Sequence, residues 1–412
     1  MKVLVCNAGS TSLKCKLYDM PGDTVLAQCG IERVGSENDA LFHYRNNLTG
    51  KRKELSGLSM PDYKAGVRLF LDTLTGAETK EPVRTPEEGG SADGLSVLHS
   101  VSEVERVGFK TTLSKGHFGV HELNEETLQG MRDWYALTPV HTKAYLSAIE
   151  VLRAFLPDAL FVGVFETGFH ETIPLERRLF GVPYEWHEKY GLMRLGYHGA
   201  SHGYIADVLN EKSRHYRAIS CHLGGSGSVC AIKDGKSIDV SFGMSLESGL
   251  IHNNRVGDID GSIWDFLRGE GLSEEEIRDG FRKKGGLLGI SGVSNDLRYV
   301  IAAADQGNER ARLAVDVYVS GIVHYIGAFY PDLGGLDYLV FTAGIGEHSD
   351  RIRAMVCERL AALGVKLDPE KNRNASGEAE ISAPDSKVRV LVIPTDEELG
   401  IARRTYAFDR RK

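Results

Sequence analysis

The chain opens with Lys2-Val3-Leu4-Val5-Cys6-Asn7-Ala8-Gly9-Ser10-Thr11-Ser12-Leu13-Lys14, and its fold class can be predicted from this segment. Residues 2–6 are typical of a buried strand, and residues 7–12 of a polar turn built from small side chains. Beyond the turn, Leu13, Cys15 and Leu17 alternate with polar residues, which predicts a second strand. The segment is therefore a strand–turn–strand unit.

The same unit recurs in the second half of the chain. Residues 218–223 predict a strand, residues 224–228 a Gly/Ser turn and residues 229–233 the next strand, followed by the hairpin signal Asp234-Gly235. The two copies lie about 215 residues apart, a distance that indicates a duplicated domain rather than a short repeat. Helical patterns follow each copy, so we expect an α/β fold with helices layered on sheets.

The remaining pattern is largely helical. Helical spacing predicts helices over residues 125–134 and 142–155, separated by Pro139, and over residues 273–284. Residues 313–329 predict a long helix with few charges, which we expect to be buried. The segment 79–93, rich in Pro, Glu and Gly, is predicted to be a mobile loop.

Composition excludes several classes of protein. A length of 412 residues predicts two or three domains, and the net charge of −8 argues against a nucleic-acid-binding surface. The six cysteines form no C-x-x-C pair, which argues against zinc and thioredoxin-type sites and favours reduced thiols in a core. No apolar run approaches the roughly 18 residues of a membrane span, and the N-terminus lacks a secretory pattern. We therefore expect a cytoplasmic protein.

Gly/Ser turns that follow strands are the first functional signal. Such turns occur at residues 7–12, 224–228 and 343–346, and their consecutive backbone N–H groups can bind phosphate oxygens. The alternative is three tight turns with only a structural role. Familiar nucleotide motifs do not explain them, because Gly235-Lys236-Ser237 lacks the P-loop glycine at position 230 and the 344–349 segment is a poor dinucleotide fingerprint.

Charged and imidazole side chains beside the strands are the second signal. Arg106 and Glu166 follow apolar runs, Arg255 precedes a Gly-Asp segment, and His141, His198 and His222 stand near predicted strand ends. A single histidine is more often a structural residue. Together with two arginines, three histidines favour a cationic site for a transferring phosphoryl group.

Six segments resemble, in order and over nearly the whole chain, the signatures of the acetate kinase family. They are residues 3–14, 164–170, 195–199, 255–260, 286–292 and 393–399. The resemblance implies an α/β fold of two duplicated ribonuclease-H-like domains, as in the acetate and sugar kinase, heat-shock ATPase and actin superfamily. It implies one actin-like ATPase domain at residues 1–168 plus 399–412. A second such domain, at residues 169–398, would hold most of the nucleotide site.

The resemblance also implies chemistry and site residues. It implies ATP-dependent phosphorylation of a short carboxylate with ADP as product, Mg²⁺ (or Mn²⁺) at Asn7 and Glu397, and a homodimer. From charge and hydropathy we expect no nucleic-acid and no membrane partner. Arg106 would bind the substrate carboxylate, and the catalytic residues would be Glu166, His198, Arg255 and His141. The nucleotide-binding residues would be Lys14, His222, Leu223, Gly224, Gly225, Ser226, Asp296, Leu297, Arg298, Gly344, Ile345, Gly346, Glu347 and His348.

Four departures from the family pattern matter for this site. Glu166 replaces an aspartate, and a longer side chain moves its carboxylate. The segment Val107-Gly108-Phe109-Lys110-Thr111 replaces Val-Val-His-Gly-Gly after Arg106. Leu246 replaces a proline and Tyr197 a phenylalanine, and Gly225 replaces an asparagine that would contact the nucleotide. The acyl pocket is then expected to be lined by Gly108, Val140, Tyr197 and Leu246.

Three functional hypotheses follow. The first is ATP-dependent phosphorylation of acetate, propionate or a near relative. The second is a family member with a different acceptor or phosphoryl donor, which the changes at Gly108, Glu166 and Gly225 favour. The third is a nucleotide-binding protein that has lost transfer, which the Phe109-Lys110-Thr111 replacement favours. The sequence does not choose the carboxylate, the donor or the physiological direction.

Overall fold

A computed structural model describes residues 1–77 and 94–409 of the chain, so the predicted loop at 79–93 lies outside the described residues. The chain divides into two compact units, Met1–Gly168 with Asp396–Lys412, and Phe169–Thr395. The return into the first domain was predicted at Leu399, three residues later than the observed division at Asp396. Each unit is built around one mixed β-sheet.

The first unit contains eight strands and four α-helices among its described residues. The strands are β1 (Lys2–Gly9), β2 (Ser12–Asp19), β3 (Thr24–Glu32), β4 (Ser36–Asn46), β5 (Arg52–Met60), β6 (Val104–Thr111), β7 (Val120–Glu122) and β8 (Leu160–Phe165). The helices are α1 (Tyr63–Thr75), α2 (Glu125–Asp133), α3 (Pro139–Phe155) and, from the end of the chain, α15 (Glu397–Ala407). Short 3₁₀ turns cover Val101–Glu103 and Tyr135–Leu137.

The second unit contains six strands and eleven α-helices. The strands are β9 (Arg217–Leu223), β10 (Gly227–Lys233), β11 (Lys236–Val240), β12 (Tyr338–Thr342), β13 (Ala379–Glu380) and β14 (Arg389–Val392). The helices are α4 (Leu175–Arg178), α5 (Tyr184–Tyr190), α6 (Gly199–Lys212), α7 (Ser262–Gly269), α8 (Glu274–Arg282), α9 (Gly286–Ser291), α10 (Leu297–Asp305), α11 (Glu309–Leu333), α12 (Ala343–His348), α13 (Asp350–Arg359) and α14 (Pro369–Arg373). 3₁₀ turns cover Gly168–Thr172, at the division, and Ala361–Leu363.

The two sheets share one topology. In the first, β1 pairs antiparallel with β2 and parallel with β6, β6 pairs parallel with β8, and β3 extends the antiparallel side. In the second, β9 pairs antiparallel with β10 and parallel with β12, and β12 pairs parallel with β14. When the five central strands of each sheet are numbered in chain order, both sheets have the strand order 3-2-1-4-5. The predicted duplication of an α/β domain is confirmed.

The opening segment folds as a hairpin that is tighter than predicted. Strand β1 continues through Gly9 and β2 begins at Ser12, so that only Ser10 and Thr11 form the turn. Asn7 is consequently a strand residue paired across the ladder with Lys14. The predicted six-residue polar turn was too wide because small polar residues at a strand end can still continue the ladder.

Each unit has a large hydrophobic core of its own, which lies under its sheet. Helices α1 and α3 cover one face of the first sheet, and α11 lies on the second. By length and composition α11 could span a membrane, a property that buried core helices share. Its side chains Tyr318, Ile322 and Phe329 are packed in the core of the second unit, whereas Leu313 is 55% exposed, so the predicted burial holds for one face of the helix only.

Helix α15 returns to the first unit and packs on the other face of its sheet. Ile401 and Ala402 are buried against Val3 and Val5 of β1. The guanidinium of Arg106, on β6, donates from Nη1 to the carbonyls of Thr405, Tyr406 and Phe408 at 2.7, 2.9 and 2.7 Å. These carbonyls lie at the C-terminal end of α15, where a cation is favoured by the helix dipole. Arg106 is thus an anchor for the last helix.

We predict that Arg106→Met destabilises the protein by about 2–3 kcal/mol, because three carbonyl groups lose a charged hydrogen-bond donor. Urea unfolding followed by circular dichroism measures this change. Arg33→Met is the matched control, because the Arg33–Asp39 ion pair in the same unit is exposed and should contribute at most about 1 kcal/mol. Equal stability of the two variants would contradict the anchoring role.

Candidate active site

Three parallel strands of the first unit end at one edge of the sheet, and polar side chains collect there. Cys6 pairs with Phe109, so Asn7 of β1 and Lys110 of β6 are the next neighbours along these strands. Lys110 pairs in turn with Val164 of β8, and Glu166 directly follows that strand. The backbone N–H of Glu166 donates to the carbonyl of Thr111 at 2.9 Å, which fixes where its side chain leaves the sheet.

Lys110 is the centre of this cluster, although the sequence analysis assigned it no role. Its Nζ lies 3.3 Å from Oε1 of Glu166 and donates a hydrogen bond to Oε2 of Glu397. The three side chains are only 18, 5 and 16% exposed, respectively. Burial alone would lower the pKa of Lys110, but the charges of Glu166 and Glu397 outweigh burial and hold it well above its usual value. Lys110 is therefore a charged ammonium.

Glu397 reaches this cluster because it opens helix α15. The side chain of Asp396 caps the helix by accepting from the N–H of Leu399 at 3.0 Å. Glu397 and Glu398 then fill the first turn, where carboxylates are favoured by the helix dipole. Lys16 of β2 lies 3.5 Å from the carboxylate of Glu398 and 3.8 Å from that of Asp396. The N-terminus of α15 is thus held over the sheet by charge pairs.

The expected magnesium site does not fit this arrangement. A magnesium ion requires oxygen ligands at about 2.1 Å, and an ammonium bonded to the same carboxylate repels it. Oε2 of Glu397 accepts from the Lys110 ammonium. Among residues 1–77 and 94–409, three or more His, Cys, Asp or Glu side chains nowhere cluster as a metal site. As placed, Oε2 of Glu397 is occupied by the Lys110 ammonium, so a divalent ion at the predicted Asn7–Glu397 pair would have to displace it.

Arg106 and Gly108 are not placed as the resemblance implies. The Nη1 group of Arg106 is bonded to the C-terminal carbonyls of α15, whereas Glu397 opens the other end of that helix. A Cβ built on Gly108 would lie 2.2 Å from Oγ1 of Thr405 and 3.1 Å from Cγ2 of Ile401. Gly108 is therefore a close-packing position under α15 rather than a wall of an acyl pocket. The cation of β6 that stands among the carboxylates is Lys110.

The other site residues of the first unit lie on two surfaces. Lys14 lines a cavity of about 370 Å³ together with Lys16. The remaining lining residues with basic side chains are His43, Arg45 and Arg52. Val140 and His141 lie in the first turn of α3, where Pro139 is the first helical residue rather than a separator. Val140 is 59% exposed, so it shares no buried pocket with Gly108.

In the second unit, two of the predicted nucleotide segments come together. His222, Leu223, Gly224, Gly225 and Ser226 run from the end of β9 into its turn, and Gly344, Ile345, Gly346, Glu347 and His348 follow the parallel strand β12. A Cβ on Gly224 would lie 3.8 Å from the Cβ of Ala343, which itself adopts a left-handed φ of 64°. The buried guanidinium of Arg353 fixes the second segment by donating to the carbonyls of Gly346 and Glu347 at 2.9 and 2.7 Å.

His252 holds the glycine turn in its shape. Its Nδ1 accepts from the N–H of Gly227 at 3.1 Å, and its Nε2 lies 3.1 Å from the carbonyl of Ser248. Nδ1 can accept only in the neutral imidazole, with the proton on Nε2. Burial, followed by the nearby charge of Arg255, lowers the pKa of His252 to about 3. The turn is thus supported by an uncharged histidine that the sequence analysis did not single out.

Asn253 occupies the space that a side chain at position 225 would take. Its Nδ2 lies 3.2 Å from the Cβ position of Gly225, and its backbone N–H donates to the Gly225 carbonyl at 3.1 Å. Its Oδ1 is buried and has no hydrogen-bond partner in the described part of the chain. The amide missing from position 225 is therefore present beside the turn. The Asn253-Asn254 pair before Arg255 was the available sequence signal.

His198 is positioned by a buried network of histidines and serines. It adopts a left-handed φ of 57° at the start of α6, and its ring stacks on that of His222 at 4.0 Å. The Ser228 hydroxyl bonds both to Nδ1 of His198 and to Nε2 of His202, at 2.8 Å each. Burial holds the pKa of His202 well below its usual value. Since one hydroxyl has one proton to donate, the tautomers of the two rings are coupled through Ser228.

The remaining predicted residues of the second unit have defined surroundings. Tyr197 is buried, and its hydroxyl donates to the Met244 carbonyl at 2.6 Å, so this hydroxyl proton is not available to a substrate. Leu246 is half-buried in the loop after β11. Burial lowers the pKa of Arg255, opposed by the charge of Glu247, but a guanidinium stays protonated. Asp296 precedes Leu297 and Arg298 at the start of α10, and the pKa of Asp296 is lowered by Arg298.

Comparison with known proteins agrees with this fold. Residues 2–403 match the family model described as the Acetokinase family. The acetate kinase of Phocaeicola vulgatus is 41% identical over 413 residues, covering 99% of this chain and 99% of that protein. The acetate kinase of Dictyoglomus turgidum is 40% identical over 411 residues, covering 98 and 97%.

Solved structures also match this chain over nearly its whole length. The crystal structure of Porphyromonas gingivalis acetate kinase has a TM-score of 0.84 at 36% identity, covering 98% of each chain. The crystal structure of a propionate kinase from Francisella tularensis has a TM-score of 0.86 at 29% identity, covering 99% of this chain and 100% of that one. The fold is thus that of the carboxylate kinases with duplicated actin-like domains. The chain belongs to the acetokinase family.

A substitution at Gly108 tests whether this residue serves close packing or lines the acyl pocket. We predict that Gly108→Ala lowers the free energy of unfolding by about 1–3 kcal/mol, because the new methyl group collides with Thr405. Chemical unfolding measures the loss. Gly30→Ala in β3 is the control, because a Cβ there meets nothing within 4 Å. A changed preference for acceptor length with unchanged stability would show instead that Gly108 lines the acyl pocket.

His252 provides a test of pH dependence. Its folded pKa of about 3 lies below the ordinary value of 6.5, so its contribution to stability is present above pH ~6.5 and is lost as pH falls towards 3. We predict that His252→Asn, whose Oδ1 can still accept from Gly227, flattens the fall in stability over this range. Melting temperatures between pH 7 and 4 measure it. An unchanged slope would contradict a buried neutral His252.

Proposed function

We propose that the protein transfers the γ-phosphoryl group of ATP to a short carboxylate, acetate or propionate, giving an acyl phosphate and ADP in a reversible reaction. The observation that supports this most directly is the glycine turn 224–227 beside His198, His222 and the 344–348 segment, at the carboxyl edge of the second sheet. Family membership gives the reaction class, since the relatives named above are acetate kinases and a propionate kinase.

The second unit is suited to bind the nucleotide phosphates. Glycines at 224, 225 and 227 keep the backbone of the turn open, and backbone N–H groups in such turns bind anions. The Asn253 amide beside Gly225 adds a side-chain group at the position where the family has an asparagine. For Lys14 of the first unit, on the cavity-lining face of β2, contact with phosphates is a proposal from the resemblance alone.

Transfer requires little covalent help from the protein. A carboxylate oxygen attacks the γ-phosphorus, the bond to the β,γ-bridging oxygen breaks, and no proton has to move because the acceptor is already an anion. Catalysis is then the stabilisation of charge on the transferring group. The half-buried Arg255 is a permanent cation, and the Ser228-positioned ring of His198 is a hydrogen-bonding partner for that charge. Glu166 would orient neighbouring cations rather than abstract a proton.

Magnesium, or manganese in its place, belongs to this proposal as an expectation from the family. The Glu397 carboxylate is bonded to Lys110, so the roles above involve only protein side chains. A homodimer and a cytoplasmic location are likewise proposals from the resemblance.

A second function is favoured by one observation. Arg106, the expected partner of the acceptor carboxylate, is bonded to the carbonyls at the end of α15, and Lys110 is the β6 cation nearest the carboxylates. The chain could therefore phosphorylate an acceptor other than acetate or propionate, within the same reaction class.

We predict that the purified protein, supplied with ATP and Mg²⁺, forms acyl phosphate from acetate or propionate, detected by trapping with hydroxylamine. Formate, butyrate and hydroxy acids test a shifted acceptor, and GTP and pyrophosphate test a shifted donor. Arg255→Ala should lower kcat about 10²–10³-fold by removing a cation from the developing charge. Arg268→Ala, which removes an exposed arginine of the same unit, is the control.

The competing outcomes are distinct. Product only with another acceptor or donor would support the second function. Folded protein whose melting temperature rises with ATP but which forms no product with any acceptor or donor would overturn both and indicate a nucleotide-binding protein without transfer.

A further inference from the structure

The pairing of Lys110 with two carboxylates joins residues that lie far apart in sequence. Glu166 and Glu397 follow Lys110 by 56 and 287 positions, respectively, and both reach the same ammonium within one unit. The fold therefore brings these three side chains together through β6, the end of β8 and the start of α15. The contact is built by tertiary structure and not by local chain geometry.

The charges of Glu166 and Glu397 explain the role of the Lys110 ammonium. Two carboxylates that both contact one nitrogen lie close to each other, and both are largely buried. Without a cation between them they would repel, and burial would add to the cost. With Lys110 the cluster has a net charge of −1 instead of −2. The lysine therefore supplies part of the positive charge that the two carboxylates require.

A divalent ion is the other cation that could meet this requirement. Buried carboxylates with the water and phosphate oxygens of a bound nucleotide are ordinary magnesium ligands. Lys110 and a divalent ion would compete for the same Oε2 atom of Glu397, since both cannot occupy one carboxylate oxygen at contact distance. The length of Glu166 matters here, because its Oε1 lies 3.3 Å from Nζ and an aspartate would end one methylene short.

We infer that Lys110 is a built-in cation that positions Glu166 and Glu397 and occupies the place where a divalent ion would otherwise bind these carboxylates. The inference deepens the proposed function, because these residues belong to the proposed site. It concerns metal binding and charge, however, and does not depend on turnover. Lys110 is a positioning residue in this scheme: it sets how strongly the protein alone, without nucleotide, binds a divalent metal.

The experiment measures Mn²⁺ binding to nucleotide-free full-length protein by electron paramagnetic resonance of the free ion. Wild-type protein is expected to bind Mn²⁺ weakly, and Lys110→Met to bind it at least tenfold more tightly because the ammonium that competes for Oε2 of Glu397 is removed. Lys110→Arg keeps the charge and should resemble wild type. Lys143→Met is the matched control, because it removes one exposed lysine of the same unit, on α3.

Equal Mn²⁺ affinity of Lys110→Met and wild type would overturn the inference. Should Lys110→Met fail to fold, Lys110→Met combined with Glu166→Gln restores the net charge and should fold. Its Mn²⁺ binding should still be tighter than that of wild type, because Oε2 of Glu397 has lost the competing ammonium, and wild-type affinity of this variant would overturn the inference. Glu397→Gln alone gives an independent result. It should change wild-type Mn²⁺ affinity less than twofold, and a tenfold loss would show that Glu397 already binds the metal.

These measurements separate the inference from the proposed function. Acyl phosphate formation by wild-type protein tests the reaction, whereas Mn²⁺ affinity in the absence of nucleotide and carboxylate tests Lys110. A protein with no transferase activity and a tenfold effect of Lys110→Met would retain the inference and lose the function.

Discussion

One face of strand β6 fixes the position of helix α15, and the site of the first unit depends on that contact. Arg106, Gly108 and Lys110 alternate along the strand and face the helix: Arg106 binds its last carbonyls, Gly108 lets it approach, and Lys110 binds Glu397 at its start. From Arg106 to Lys110 the strand rises about 13 Å, and from Glu397 to Thr405 the helix rises about 12 Å, so the two spans match. Because both ends are fixed by charge, the helix has one register on the sheet.

This constraint shows why the fold was easier to predict than the site. The repeated strand–turn–strand pattern gave the duplicated α/β domain, since alternation and turn residues are local properties of the chain. Arg106 and Lys110 are both basic residues on one face of one strand, and only the packing of α15 shows that Lys110 stands at the end with the carboxylates. Asn253 was missed for the same reason, because its contact with Gly225 joins separate segments.

The two units share one topology, but the groups at the carboxyl edges of their sheets carry different charges. At the carboxyl edge of the first sheet, charge is balanced among Lys110, Glu166 and Glu397. At the corresponding edge of the second sheet, the groups around the glycine turn are largely neutral, because burial lowers the pKa of His202 and of His252 and each ring is hydrogen-bonded. A neutral, preorganised turn suits an anion that arrives with its own charge and counterions.

The changes at positions 110 and 166 are best understood together. A glutamate in place of an aspartate would by itself push a carboxylate further from the end of β8 and into repulsion with Glu397. The Lys110 ammonium removes that repulsion, and the extra methylene of Glu166 brings its Oε1 within 3.3 Å of Nζ. Each residue therefore compensates for the other: without Lys110 the two carboxylates would lose the ammonium between them, and with an aspartate at position 166 Lys110 would keep Glu397 as its partner but lose its contact with position 166.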